Sequence, residues 1–191
     1  MVSRSLVLGY HGCDESTAFK VVNGHEDLIP SKNEYDWLGS GLYFWEDSSS
    51  RALKWAQDES RKPNGKLKTP AVLGAIIDLG NCLNLIDADH LDFVKAAHQA
   101  YLDFCRISEL QPAQNKGKDL RARFLDKAVF ETLHKLRQDE GETAFETVRA
   151  FFVEGEPLYE KSGLHSLDHV QICVRNSNNI VGYFLPRLKV D

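Results

Sequence analysis

Gly39-Ser40-Gly41-Leu42-Tyr43-Phe44-Trp45 is a glycine-punctuated turn running into an apolar, aromatic stretch. Gly41 to Trp45 reads as a strand. Alternation puts Tyr43 and Trp45 on one face and Phe44 on the other, so at least one of the three belongs to a core. Upstream, residues 25–40 are polar and turn-rich, a long surface loop of the kind that is usually functional or disordered. Before that loop, Asp14 is placed to cap a helix from Glu15 to about Val22, ended by Asn23-Gly24. Leu6 to Tyr10 reads as a short strand stopped by Gly12. Downstream, Asp47-Ser48-Ser49 supplies cap residues for a helix through Ala52, Trp55 and Ala56, and the apolar run Ala71 to Leu79 reads as a buried strand.

Two helices follow. Leu91, Val94, His98, Tyr101 and Cys105 recur at helical spacing, as do Leu120, Phe124, Val129, Leu133 and Leu136, with Gln111-Pro112 between the two sets. Val148 to Val153 is a strand broken by Glu154-Gly155-Glu156-Pro157. His169–Val174 and Ile180–Leu185, joined by Asn176-Ser177-Asn178-Asn179, read as a hairpin. Strands, then helices, then strands, without βαβ alternation, predict an α+β fold. Neither a G-x-G-x-x-G nor a G-x-x-x-x-G-K-[ST] loop is present.

The chain has 191 residues, a formal charge of −5, 42% hydrophobic and 27% charged residues. These values exclude a long disordered or fibrous protein. One domain over 1–191 is the expectation, with 88–140 as a helical insertion. The acidity is local: five basic and ten acidic residues precede Arg61, and 18 of each follow. The net charge therefore does not decide for or against a nucleic-acid partner. No apolar run approaches the roughly 20 residues that span a bilayer, and the start of the chain is too weakly apolar for a signal peptide. Cys13, Cys82, Cys105 and Cys173 lack C-x-x-C spacing. They are expected to be reduced thiols in a cytoplasmic protein, and no metal site is expected.

Three segments stand out in order: Tyr10-His11-Gly12; Gly39 to Phe44 followed by Ser50, Ala52 and Trp55; and His169 to Val174 followed by Gly182-Tyr183-Phe184-Leu185. Together they resemble the ADP-ribosyltransferase superfamily, in its diphtheria-toxin and poly(ADP-ribose) polymerase branch. That branch carries a His-Tyr-Glu triad on three strands. The resemblance spans Tyr10 to about Leu185. It implies a split, two-sheet β core with NAD+ as a substrate in the cleft, and a bacterial toxin-like mono-ADP-ribosyltransferase that releases nicotinamide. His11 would bind the adenosine ribose and the Gly12 backbone the nicotinamide carboxamide. Tyr43 would stack on the nicotinamide ring, with Trp55, about one turn past Ser50, as the second stacking aromatic. The third triad position is Gln171 here. An amide orients a hydroxyl but is no general base at neutral pH. The acceptor, a protein or a nucleic acid, and a possible antitoxin are not identified by the resemblance. An NAD+ glycohydrolase, an RNA 2′-phosphotransferase-like enzyme and an inactive NAD+ or ADP-ribose binding module are the rival readings.

Singly, each residue has a plainer reading: His11 a packed strand histidine, Trp55 a core residue, Gln171 a solvated edge residue. Glu154-Gly155-Glu156 matches the E-x-E of arginine-modifying relatives, but Pro157 argues against a central strand there. Residues 154–167 are expected to form an acceptor-recognition loop, from which Glu156 or Glu160 could approach the site. His169 would share the face of Gln171 and meet the target. Cys13 shares a strand face with His11, which permits a Cys–His nucleophile reading. Arg61–Lys68 and Lys116–Lys127 are basic stretches that read as solvated faces or as nucleic-acid contacts.

Overall fold

A computed structural model describes residues 5–187 except 35, 118, 119 and 121. The first four residues, and Lys118 and Arg121 of the second basic stretch, lie outside the described residues. The element order is β1 (Leu6–Asp14), α1 (Glu15–Val22), β2 (Leu42–Glu46), α2 (Ser49–Ser60), β3 (Pro70–Asp78), β4 (Cys82–Asn84), α3 (Ala88–Ile107), α4 (Phe124–Asp139), β5 (Thr147–Phe152), β6 (His169–Val174) and β7 (Ile180–Phe184). The class is α+β, with a seven-stranded mixed sheet in the order β4-β5-β6-β2-β1-β3-β7.

The expected two sheets are joined into one, and the join is narrow. β1 pairs with β3 along its whole length, Leu6↔Asp78 to Asp14↔Pro70. It meets β2 only at Gly9↔Glu46 and Tyr10↔Trp45. Beyond those two pairs the ladder stops, and a β4-β5-β6-β2 half and a β1-β3-β7 half diverge. Gly9 sits at the join because a Cβ there would stand 2.5 Å from Ile77 and 2.8 Å from Phe44. Its absence lets Phe44 and Ile77 meet in one cluster with Leu42, Ala75, Ile172 and Val174, which ties the halves together.

The sequence reading needs three corrections. The first strand runs through Gly12 to Asp14, because every residue of it finds a partner on β3. The final hairpin does not form: both edges of β6 are taken, by β2 and β5, and β7 pairs with β3 at the far end of the sheet. Asn179 holds that crossing by donating from Nδ2 to the Asp78 carbonyl at 2.9 Å. Finally, the three-residue β4 pairs parallel to β5, so α3 and α4 form the crossover between two parallel strands.

Those helices carry core. Ala97 of α3 and Val129, Phe130 and Leu133 of α4 pack on Leu83, Val148 and Cys173. This seals one end of the face presented by β5, β6 and β2. α1 forms as the sequence predicts. Asp14 caps it, accepting from Ser16 N at 3.2 Å, and Ala18 and Val21 bury against Cys13 and Leu73 of the other half-sheet. No helix is long and apolar enough to cross a membrane among the described residues.

Candidate functional site

Where β1 and β2 diverge, a cavity of about 450 Å³ opens. β1 contributes His11, β2 Tyr43 and Trp45, and β6 Gln171. Gln171 lies opposite Trp45 in the β2–β6 ladder and opposite Ala150 on β5, so it is a central-strand residue rather than an edge one. From α2 come Arg51, Trp55 and Glu59, with Lys62 just beyond that helix. The loop before β2 closes another side with Ser31, Asn33, Asp36 and Trp37, and Glu154 enters from the end of β5.

His11 stands at the split. One step past the last backbone pair, its Nδ1 donates to the Tyr43 carbonyl at 2.8 Å. The side chain thus bridges the strands where the ladder ends. This bond fixes the neutral tautomer and leaves Nε2 as the acceptor. Burial pushes the imidazole below its ordinary range, against the opposite pull of the Tyr43 carbonyl. Tyr43 is held as firmly: its hydroxyl donates to the Gly39 carbonyl at 2.6 Å and accepts from Leu38 N at 2.9 Å. Burial, with the Cys173 sulfur and the Asp36 charge adding, drives its phenol far above the usual range. Its hydroxyl is committed to the loop backbone, while the residue lines the cavity.

Trp45 lies beneath the cavity at 6% exposure, with Trp55 tilted against it at 5.9 Å between centroids. Arg51 stacks its guanidinium 5.3 Å over the Trp45 ring and donates to Glu154 Oε2 at 2.8 Å. Trp45 Nε1, Arg51 Nε and Asp36 Oδ2 are buried with no hydrogen-bond partner among the described residues. His169 Nε2, behind Trp45, is in the same position. Unsatisfied buried polar atoms are rare and costly. Three of the seven such atoms among the described residues belong to side chains that line this one cavity; Arg123 Nε, His134 Nε2 and His165 Nδ1 lie elsewhere.

Four of the residues singled out in the sequence therefore converge: His11, Tyr43, Trp55 and Gln171. Two do not line the cavity. Ser50 is exposed on the first turn of α2, and Arg51 beside it faces inward instead. Gly12 turns its missing Cβ away, toward the Ala52 carbonyl and the Trp55 ring. The missing side chain is what lets α2 approach β1 at this point. Of the acidic loop, Glu154 reaches the cavity, while Glu156 and Glu160 are exposed away from it. His169 is buried, donates from Nδ1 to the Leu167 carbonyl at 2.7 Å, and cannot meet an external target. Cys13 is buried against α1, and its thiol is pushed up to about 11 by burial, with the Asp14 charge adding, opposite to an activated nucleophile. The four cysteines are free. Among the described residues no group of three or more His, Cys, Asp or Glu side chains could hold a metal ion.

Sequence reasoning passed over Arg51, Asp36, Trp37, Ser31 and Asn33. The signal available for the last four was the length of the loop before Gly39, which suits a functional or a disordered segment and singles out no residue.

No family model and no solved structure matches this chain. It is similar to "Uncharacterized protein MJ0359" of Methanocaldococcus jannaschii, 25% identical over 187 residues, covering 90% of this chain and 83% of that protein. The likeness runs nearly end to end, and it carries no activity with it.

Proposed function

We propose that the cavity binds NAD+ as a substrate and that the protein is a toxin-like mono-ADP-ribosyltransferase of the ADP-ribosyltransferase type, acting in the cytoplasm on a macromolecular acceptor. The observation that carries this reading is the convergence of His11, Tyr43, Trp55 and Gln171 from β1, β2, α2 and β6 on one cavity at a split in the sheet. A concave, aromatic-lined site with a few buried polar groups suits a heteroaromatic ligand.

In this reading Tyr43 and Trp55 hold the nicotinamide ring. His11 accepts a ribose hydroxyl through Nε2, and Gln171 orients a second ribose hydroxyl with its amide. The bond between ribose C1′ and the ring nitrogen breaks, and nicotinamide leaves neutral with the bonding electrons. The acceptor nucleophile forms the new bond at C1′ and releases its proton. Gln171 cannot take that proton, so orientation is the main catalytic effect. The same residue favours one rival, an inactive NAD+ or ADP-ribose binding module. An NAD+ glycohydrolase differs only in using water as acceptor.

The test is labelled NAD+ with and without cell extract, followed by protease or nuclease digestion. Nicotinamide release with label on a macromolecule is expected; a possible antitoxin would suppress it. Release without labelling selects the glycohydrolase, and binding without release the inert module. No binding by folded protein refutes the assignment. His11→Ala and Tyr43→Ala should each weaken NAD+ binding about tenfold or more. Gln171→Ala should lose transfer and keep much of the binding.

A further inference from the structure

We propose that Asp36 makes the cavity selective for a cationic ring, so that the oxidised, positively charged nicotinamide is taken in preference to a neutral one. The inference rests on the NAD+ reading and names the residue that decides the charge of the ring.

Five formally charged side chains line the cavity: Asp36, Glu59 and Glu154 against Arg51 and Lys62. Four of them pair off. Arg51 holds Glu154 at 2.8 Å, and Lys62 holds Glu59. His11 is kept neutral by its burial. Asp36 has no cation partner among the described residues. Its Oδ1 accepts from Ser31 Oγ at 2.9 Å and from Asn33 Nδ2 at 3.5 Å. Its Oδ2 is buried and unpartnered, in a residue only 8% exposed. Neutral donors on one oxygen do not cancel a charge, so the lining side chains carry one net formal negative charge; Arg123, stacked 4.8 Å over the outer Trp37, is itself paired with Asp126 at 3.0 Å.

That charge is close to Tyr43. Gly39 joins the two: its N–H donates to the Asp36 carbonyl at 3.3 Å, and its own carbonyl accepts from the Tyr43 hydroxyl at 2.6 Å. Burial and the Cys173 sulfur are the larger causes of the raised Tyr43 phenol, and the Asp36 charge adds to them, so its field reaches that ring; at Cys173, farther along, the Arg175 guanidinium pulls down more than Asp36 pushes up. A carboxylate that water cannot screen attracts a cation several ångströms away by on the order of tenfold or more in affinity. Contact is not required, which suits an oxygen sealed beneath the surface. During bond breaking the positive charge moves from the ring to the ribose but stays in the cavity, within the same field.

Nicotinamide and 1-methylnicotinamide are suitable probes, because they differ by a methyl group and a full positive charge. All three tryptophans of the chain line the cavity, so the indole N–H resonances of Trp37, Trp45 and Trp55 report binding of either ring. The wild-type protein should bind the cation about tenfold more tightly than the neutral ring. Asp36→Asn, which keeps an acceptor for Ser31, should bring that ratio close to one while preserving nicotinamide affinity. Asp36→Ser, smaller and also neutral, serves if the amide disturbs the loop. A wild-type ratio near one overturns the inference and leaves the NAD+ reading standing. So does a preference that survives in the neutral variant, or an equal loss of both rings, which would make Asp36 a loop-holding residue. Indoles unmoved by either ring in the wild type refute both.

Discussion

One face of the β2–β6 pair meets two fates along its length. At the Cys173 end, α3 and α4 seal it, and Leu83, Val148 and Cys173 are fully buried. At the Trp45 and Gln171 end, the same face opens on the cavity, where Trp45 Nε1, Arg51 Nε and Asp36 Oδ2 are buried without partners. Tyr43 spans the boundary, with its hydroxyl anchored in the loop and its ring in the cavity wall. An unpartnered buried polar atom costs about 1–3 kcal/mol. The open end carries three such atoms and the sealed end one, His134 Nε2 of α4, so the larger cost falls at the open end, where a ligand offering hydrogen bonds or charge would offset it. Packing and the proposed binding are thus divided between two stretches of the same strands.

The division can be broken most sharply from the sealed end. Leu83→Ala should cost about 2–5 kcal/mol, because a fully buried leucine is removed from a face with little room to collapse. Urea denaturation measures the loss, and ring binding should persist below the transition. A loss under 1 kcal/mol would show that the helices do not seal that end.

Gly12→Ala tests the border. The added Cβ runs into the Ala52 carbonyl and stands 3.0 Å from Trp55. The expected cost is about 1–3 kcal/mol, together with displaced Trp55 fluorescence. An unchanged spectrum would mean that α2 rests less tightly on β1 than its contacts imply.

Acid probes both ends. Burial holds His11 and His169 below their ordinary value, and lowers His134 of α4 to about 3. The unfolded chain therefore takes up protons first as pH falls below about 6.5, and stability is lost on acidification and kept above that value. Each histidine contributes at most about 1.4 kcal/mol per pH unit in this window. Thermal melts between pH 7 and 5 should show the decline, and His134→Leu should flatten it. A flat profile in the wild type would contradict the buried neutral state of all three.

The smallest effect belongs to the open end. Trp45→Phe removes an unpartnered donor along with some packing area, and should change stability by less than about 1 kcal/mol. A loss of several kcal/mol in the melt would place Trp45 with the sealed core.

What could be read from the sequence divides along similar lines. Local signals held: α1 spans the residues that Asp14 and Asn23 bracket, and alternation correctly separated Phe44, fully buried, from Tyr43 and Trp45. Partner choice was not legible. His169–Val174 and Ile180–Phe184 have the pattern of a hairpin, yet tertiary contacts send them to different strands. Cys82–Asn84 is too short to show a period. In the site, residues with a recognisable motif were found, whereas Arg51 and Asp36 were not. Their meaning comes from tertiary contacts and from atoms left without a hydrogen-bond partner among the described residues, Arg51 Nε and Asp36 Oδ2.

The two-pair join between β1 and β2 has a mechanical consequence. Most neighbouring strands are clamped by a directional ladder that resists shear and bending alike. Here the halves are held chiefly by greasy contact among Phe44, Ile77, Ala75 and Ile172. Such contact is non-directional, so small rotations of one half against the other need not rupture backbone bonds. Polar bonds flank the join on both sides, Asp47 N to the Leu8 carbonyl at 3.0 Å and His11 Nδ1 to the Tyr43 carbonyl at 2.8 Å, and the second of these is the one that stands at the mouth of the cleft.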